Sequence, residues 1–194
     1  MIFGGRPIEP EELVESLVRG VINRVNQNEH WTPAVKRTLV EMACTRGFYA
    51  APDPKENQPE NLLDFLWFKN SKSNNIVLAV ESELNSKRNV WDDFEKLMHI
   101  KAPLKLMVWK TKNHEKQAPE VLDGLRTSCL ENFNQHVKGE SYVLLEFSGS
   151  KAAYWYLYEV PNDGEVVNPE FRAMGEIPYP DPNSSKAFAV KGAL

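Results

Sequence analysis

Ile76-Val77-Leu78-Ala79-Val80-Glu81-Ser82-Glu83-Leu84-Asn85 is the stretch on which the fold turns. It is apolar, rich in β-branched residues and ends in two acids one residue apart, the pattern of a buried strand with a polar tip. Side chains alternate along a strand, so Val77, Ala79, Glu81, Glu83 and Asn85 share one face, and Ile76, Leu78, Val80, Ser82 and Leu84 take the other. Upstream, Leu62-Leu63-Asp64-Phe65-Leu66-Trp67-Phe68 reads as a second apolar strand interrupted by a single acid. The linker from Lys69 to Asn75 is rich in Asn, Ser and Lys, and it predicts an antiparallel hairpin that brings Asp64 beside Glu81.

Carboxylates gathered at the end of a buried sheet repel one another and resist desolvation unless positive charge sits among them. A hard divalent cation supplies that charge. With oxygen donors and no His or Cys nearby in sequence, Asp64, Glu81 and Glu83 suit Mg²⁺ or Mn²⁺ better than Zn²⁺. The plainer alternative is that these acids mark where the sheet reaches water and hold nothing.

Asp64 followed by Glu81-Ser82-Glu83, then by a helix and a further strand, resembles the PD-(D/E)XK nuclease superfamily over about Thr32 to Lys112. The core of that superfamily runs helix, three strands, helix, strand, with an acid on the second strand and acid-x-lysine on the third. Leu62 and Leu63 precede Asp64, so the proline of the motif is absent, and Glu83 stands in the lysine's place, as in the variant ending in Glu-x-Glu. The resemblance implies a restriction-endonuclease-like α/β core, a central mixed β-sheet flanked by helices. It further implies metal-dependent hydrolysis of nucleic-acid phosphodiesters, DNA ahead of RNA, with Asp64, Glu81 and Glu83 as ligands of Mg²⁺ or Mn²⁺. Some members carry the missing lysine on the helix after the third strand, which makes Lys96 or Lys101 a candidate. Many carry another acid on the first core helix, where Glu41 is the candidate, although it falls away from the apolar stripe and a solvated ion pair with Arg37 one turn away is the favoured account of it. A catalytically inactive relative, binding nucleic acid or a protein partner through the same fold, is the alternative.

Composition bounds these readings. The chain of 194 residues is long enough for one sizeable core. Its formal net charge of −4 argues against a protein that coats nucleic acid, whose binding needs a broadly basic face, and leaves room for a nuclease with a local basic patch. Cys44 and Cys129 have no metal-like spacing and read as reduced thiols in a cytoplasmic protein. Met1 to Pro7 lacks the basic and apolar regions of an export signal, and no run approaches membrane-spanning length, so a soluble chain without membrane association is expected.

In chain order, Pro10 to Asn26 carries a wide helical stripe of Leu and Val that packs on the domain or, alternatively, serves a homodimer. Thr32 and Pro33 read as the cap and first residue of a second helix ending near Gly47. Phe48 to Ala51 reads as a first strand and Asp53 as a turn residue between two prolines. Trp91, Phe94, Leu97 and Met98 form the buried stripe of the helix after the acidic strand, with Lys96 facing away from it. Leu104 to Lys110 is then a strand, followed past His114 and Pro119 by a helix carrying Val121 to Phe133. Two further strands, Tyr142 to Phe147 and Ala153 to Val160, complete one domain over residues 1–160. Residues 161–194, with several prolines, are expected as an extension that wraps the surface or reaches a partner. His30, His99, His114 and His136 lack metalloprotease spacing, and the chain has no phosphate-binding glycine loop and no Gly-x-Ser-x-Gly elbow.

Overall fold

The acidic stretch is a strand, β3 (Ile76–Glu83), and its hairpin partner is β2 (Phe65–Phe68), paired antiparallel with Phe65 opposite Val80. A computed structural model describes residues 8–51, 63–72, 75–84, 89–133, 136–149, 151–161 and 169–179. Asp53 and the loop around it lie outside the described residues. β1 (Tyr49–Ala51) pairs antiparallel outside β2. On its other side β3 runs parallel to β4 (Leu104–Thr111), and β4 runs parallel to β5 (Ser141–Ser148). β6 (Ala152–Glu159) and β7 (Arg172–Pro178) continue antiparallel. Among the described residues this makes one seven-stranded mixed sheet whose spatial order follows the chain.

Helices cover both faces, as a sheet with parallel members requires. α1 (Pro10–Asn26) and α2 (Trp31–Thr45) pack on one face, where Leu13, Leu17, Val21 and Leu39 meet Phe65, Trp67, Val80 and Leu106. α3 (Asn89–Met98) and α4 (His114–Gly124) cover the other, where Val90, Phe94, Leu97 and Val121 meet Ala79, Met107, Trp109 and Tyr142. α3 is the parallel crossover between β3 and β4. Among the described residues no helix is long and apolar enough to cross a membrane.

Three local features differ from the sequence expectation. α2 begins at Trp31 with His30 in the cap position and no side-chain cap bond. Trp31 is drawn into the helix by packing against Phe147 at 5.2 Å, and Pro33 remains among the first helical residues, whose N–H groups have no intrahelical partner anyway. α4 starts before Pro119, at His114, because Asn113 caps it by accepting from the Lys116 N–H. The proline then removes a single helical hydrogen bond, and the chain passes through a π-helical turn, Leu125–Cys129, and a 3-10 turn, Leu130–Asn132. Finally, residues 172–178 of the expected extension are the edge strand β7, where Pro178 at the strand end is tolerated.

Candidate active site

Because β3, β4 and β5 are parallel, their carboxyl ends open on one edge of the sheet, and the acids of the Glu-Ser-Glu segment lie there. Glu81 pairs in register with Met107, and Glu83 with Trp109. Both partners belong to the cluster beneath α3 and α4, so the two glutamates share that face, as alternation predicts.

Glu81 is not at an exposed tip. It is 3% exposed, because α3 crosses over it. Its carboxyl accepts a hydrogen bond from the Asp64 backbone N–H, while Oε1 has no hydrogen-bond partner among the described residues. Lys96 Nζ, from α3, stands 3.9 Å from Glu81 Oε1 and 2.7 Å from Asp93 Oδ1. The helical angle of Lys96 pointed to solvent, yet its long stem reaches back to the sheet edge, where Asp93 one turn earlier holds it. Burial first, and the charge of Asp64 second, push the Glu81 carboxyl up to about 8; Lys96 and the Asp64 N–H oppose them. Lys96 itself is raised, chiefly by its hydrogen bond to Asp93.

Asp64 sits immediately before β2, at the place that adjoins Glu81. Its Oδ2 accepts from both the Ser82 N–H at 3.0 Å and the Ser82 hydroxyl at 2.7 Å, and Oδ1 lies 3.5 Å from Lys36 Nζ on α2. Asp64 and Glu81 are therefore brought together, with a lysine approaching from the helix layer on each face. Glu83 lies one register row further out, about 7 Å along the strand. Among the described residues no three His, Cys, Asp or Glu side chains gather into a group that could hold a metal ion; the Asp64 carboxylate is engaged by Ser82 and Lys36, the Glu81 carboxyl faces Lys96, and Glu83 lies beyond them. Glu41 is elsewhere: its carboxylate is two-thirds exposed and bonds Arg24 on α1, while Arg37, its expected partner, pairs with Glu29.

Lys36, Ser82 and Asp93 escaped the reading of the sequence. The spacing of Asp93 and Lys96, three apart on a helix, was a usable signal, whereas nothing local marks Lys36, which reaches Asp64 only through the packing of α2 on the sheet.

Two carboxylates suffice for Mg²⁺, which keeps several waters and is often held by one or two protein carboxylates plus substrate phosphate. The buried Oε1 of Glu81, which has no hydrogen-bond partner among the described residues and only Lys96 at 3.9 Å, is the feature that fits such an ion. An acid held neutral by burial is converted to a ligand when a cation offsets its desolvation cost. Compared with known proteins, the chain matches no family model and no curated protein.

Proposed function

We propose that the chain is a metal-dependent nuclease that hydrolyses phosphodiester bonds in nucleic acid, DNA ahead of RNA, on a restriction-endonuclease-like core. One observation carries this reading: Asp64 and Glu81 meet where β2 begins and β3 ends, the Glu81 carboxyl accepting from the Asp64 N–H, with an Oε1 that has no hydrogen-bond partner among the described residues and Lys96 3.9 Å from it. The order α2, β1, β2, β3, α3, β4 supports it as well, since helix, three strands, helix, strand is the order the PD-(D/E)XK resemblance requires.

In this reading Asp64 and Glu81 hold Mg²⁺ or Mn²⁺, which when bound polarises the phosphate and acidifies water. Lys36 and Ser82 fix the Asp64 carboxylate. Asp93 aims Lys96, whose ammonium stabilises negative charge developing on the phosphoryl oxygens. Glu83, one row out, orients the attacking water. A second reading, an inactive module of the same fold, is favoured by the Asp64 carboxylate already being satisfied by Ser82 and Lys36.

Glu81→Gln separates the two, because it keeps the shape of a buried side chain that Glu81→Ala would replace with a void. Wild type is expected to cut plasmid or oligonucleotide substrates with Mg²⁺ or Mn²⁺, and the variant to lose on the order of a thousandfold in rate. Unchanged cleavage by Glu81→Gln would remove the site, and no cleavage of DNA or RNA by wild type would leave the module reading.

A further inference from the structure

A second polar cluster lies on the same face and the same edge of the sheet. One register row runs Glu83, Trp109, Glu146, Tyr154, Glu176 across β3 to β7. Two strand spacings put Glu146 about 10 Å from Glu83. Glu146 is fully buried; its Oε1 accepts from the Thr111 hydroxyl and its Oε2 lies 2.7 Å from Nδ1 of His114. The His114 ring stacks on Tyr154 with centroids 3.6 Å apart and planes 11° from parallel. Its side chain is 29% exposed. A carboxylate on Nδ1 and a flat ring against one face fix the imidazole, so that Nε2 is the nitrogen left to act outward. Lys112 and Lys116 flank it in the chain, both exposed. These donors stand among carboxylates as well: exposed Glu115 lies between His114 and Lys116, and Glu176 bonds the Tyr154 hydroxyl.

We propose that His114, flanked by Lys112 and Lys116 and set in place by buried Glu146, binds backbone phosphates of the nucleic-acid strand that lies along the edge past Asp64 and Glu81. The separation decides the role. Glu146 stands about 10 Å from Glu83, and Glu81 lies two residues further back along β3, so a histidine held on Glu146 is set apart from the carboxylate pair by more than the hydrogen bond or single water that a general base needs. His114 is thus a substrate-seating residue, and Glu146 is a positioning residue that acts through it. The inference rests on the nuclease reading for the strand's path, while the binding it asserts needs no chemistry.

Binding is measured by fluorescence anisotropy in EDTA, where no metal-dependent cutting occurs, with a single-stranded oligodeoxynucleotide and an RNA of the same sequence, over a series of salt concentrations. His114→Gln is expected to weaken binding about five- to tenfold. The exposed double variant Lys112→Gln/Lys116→Gln, which leaves the Glu146 contact intact, should reduce the slope of log affinity against log salt by about 1.4 on single strands, the share of two phosphates. In wild type the His114 imidazole resonances, assigned by their absence in His114→Gln, should shift when the oligonucleotide is added. Wild-type affinity and slope retained in both variants, or no binding of either nucleic acid by wild type, would overturn the proposal. Retained binding in both alongside cleavage that depends on Glu81 removes this proposal alone. Lost binding with cleavage indifferent to Glu81→Gln removes the nuclease site alone.

Discussion

Replacing Glu81 with Gln is expected to stabilise the protein at neutral and higher pH, in a way that grows with pH. The Glu81 carboxyl is held at about 8, against an ordinary 4.5, because burial and neighbouring Asp64 disfavour its ionised form. A carboxyl raised in the folded state stabilises the fold relative to its ionised form, fully so below its ordinary value, and that contribution is lost as pH rises through the folded value. From pH 4.5 upward the unfolded chain gives up its proton while the folded chain keeps it, so stability falls with pH until about 8. At about 1.4 kcal/mol per pH unit, this group alone removes on the order of 3–4 kcal/mol between about pH 5 and pH 8. A neutral Gln of the same shape has no such dependence. Urea unfolding of both chains in EDTA, followed by tryptophan fluorescence across that range, gives the difference in stability with every shared titration cancelled. The difference should start near zero and rise with pH in favour of Glu81→Gln. Asp64→Asn, which removes the second cause and leaves burial, should keep the same form of pH dependence but complete it at lower pH. A difference that stays flat, or that favours wild type increasingly as pH rises, would refute the burial argument.

Three further outcomes follow from other contacts. At the proposed metal site a divalent ion would have to displace the proton on Glu81, so a rise in melting temperature with Mn²⁺ is expected to grow from about pH 6 to about pH 8 and to vanish in Glu81→Gln; no shift, or a shift independent of pH, would contradict this. At the opposite edge of the sheet, Lys105 is 1% exposed and bonds Glu140 at 2.6 Å and the Tyr142 hydroxyl at 3.1 Å. Lys105→Met should therefore cost about 3–5 kcal/mol in urea unfolding, and the double variant Lys105→Met/Glu140→Leu should recover most of it; equal losses in both would argue against a buried ion pair. A Cβ on Gly124 would lie 2.5 Å from the Trp91 ring, so Gly124→Ala should lower stability by about 1–3 kcal/mol, and an unchanged melting temperature would show that α3 and α4 are not in contact there.

Much of the sheet was legible because the signal is local. The apolar run at β3, the turn-forming linker after Phe68 and the stripes of α1 and α3 each specify an element by their own residues. Alternation put Glu81 and Glu83 on one face, and hairpin pairing put Asp64 beside Glu81. What escaped depends on tertiary packing. The burial of Glu81 requires α3 to lie over a residue that looks like a polar strand end. The salt bridge from Lys36 to Asp64 joins a helix to a strand end 28 positions away in the chain. The Glu146–His114 contact was illegible for the same reason: a lone acid within an apolar strand and a histidine in a polar turn acquire a joint role only when β4 and β5 pair in register. β7 was hidden by prolines that mark strand breakers in general and are tolerated at a sheet edge.

The role of the carboxylate pair is decided most directly by the anomalous scattering of a crystal soaked in Mn²⁺ at about pH 8. An ion bonded to oxygens of both Asp64 and Glu81, with the Glu81 Oε1 now engaged, is the expected result. An Asp64 carboxylate still bonded to Ser82 and Lys36, with no manganese at Glu81, would contradict it.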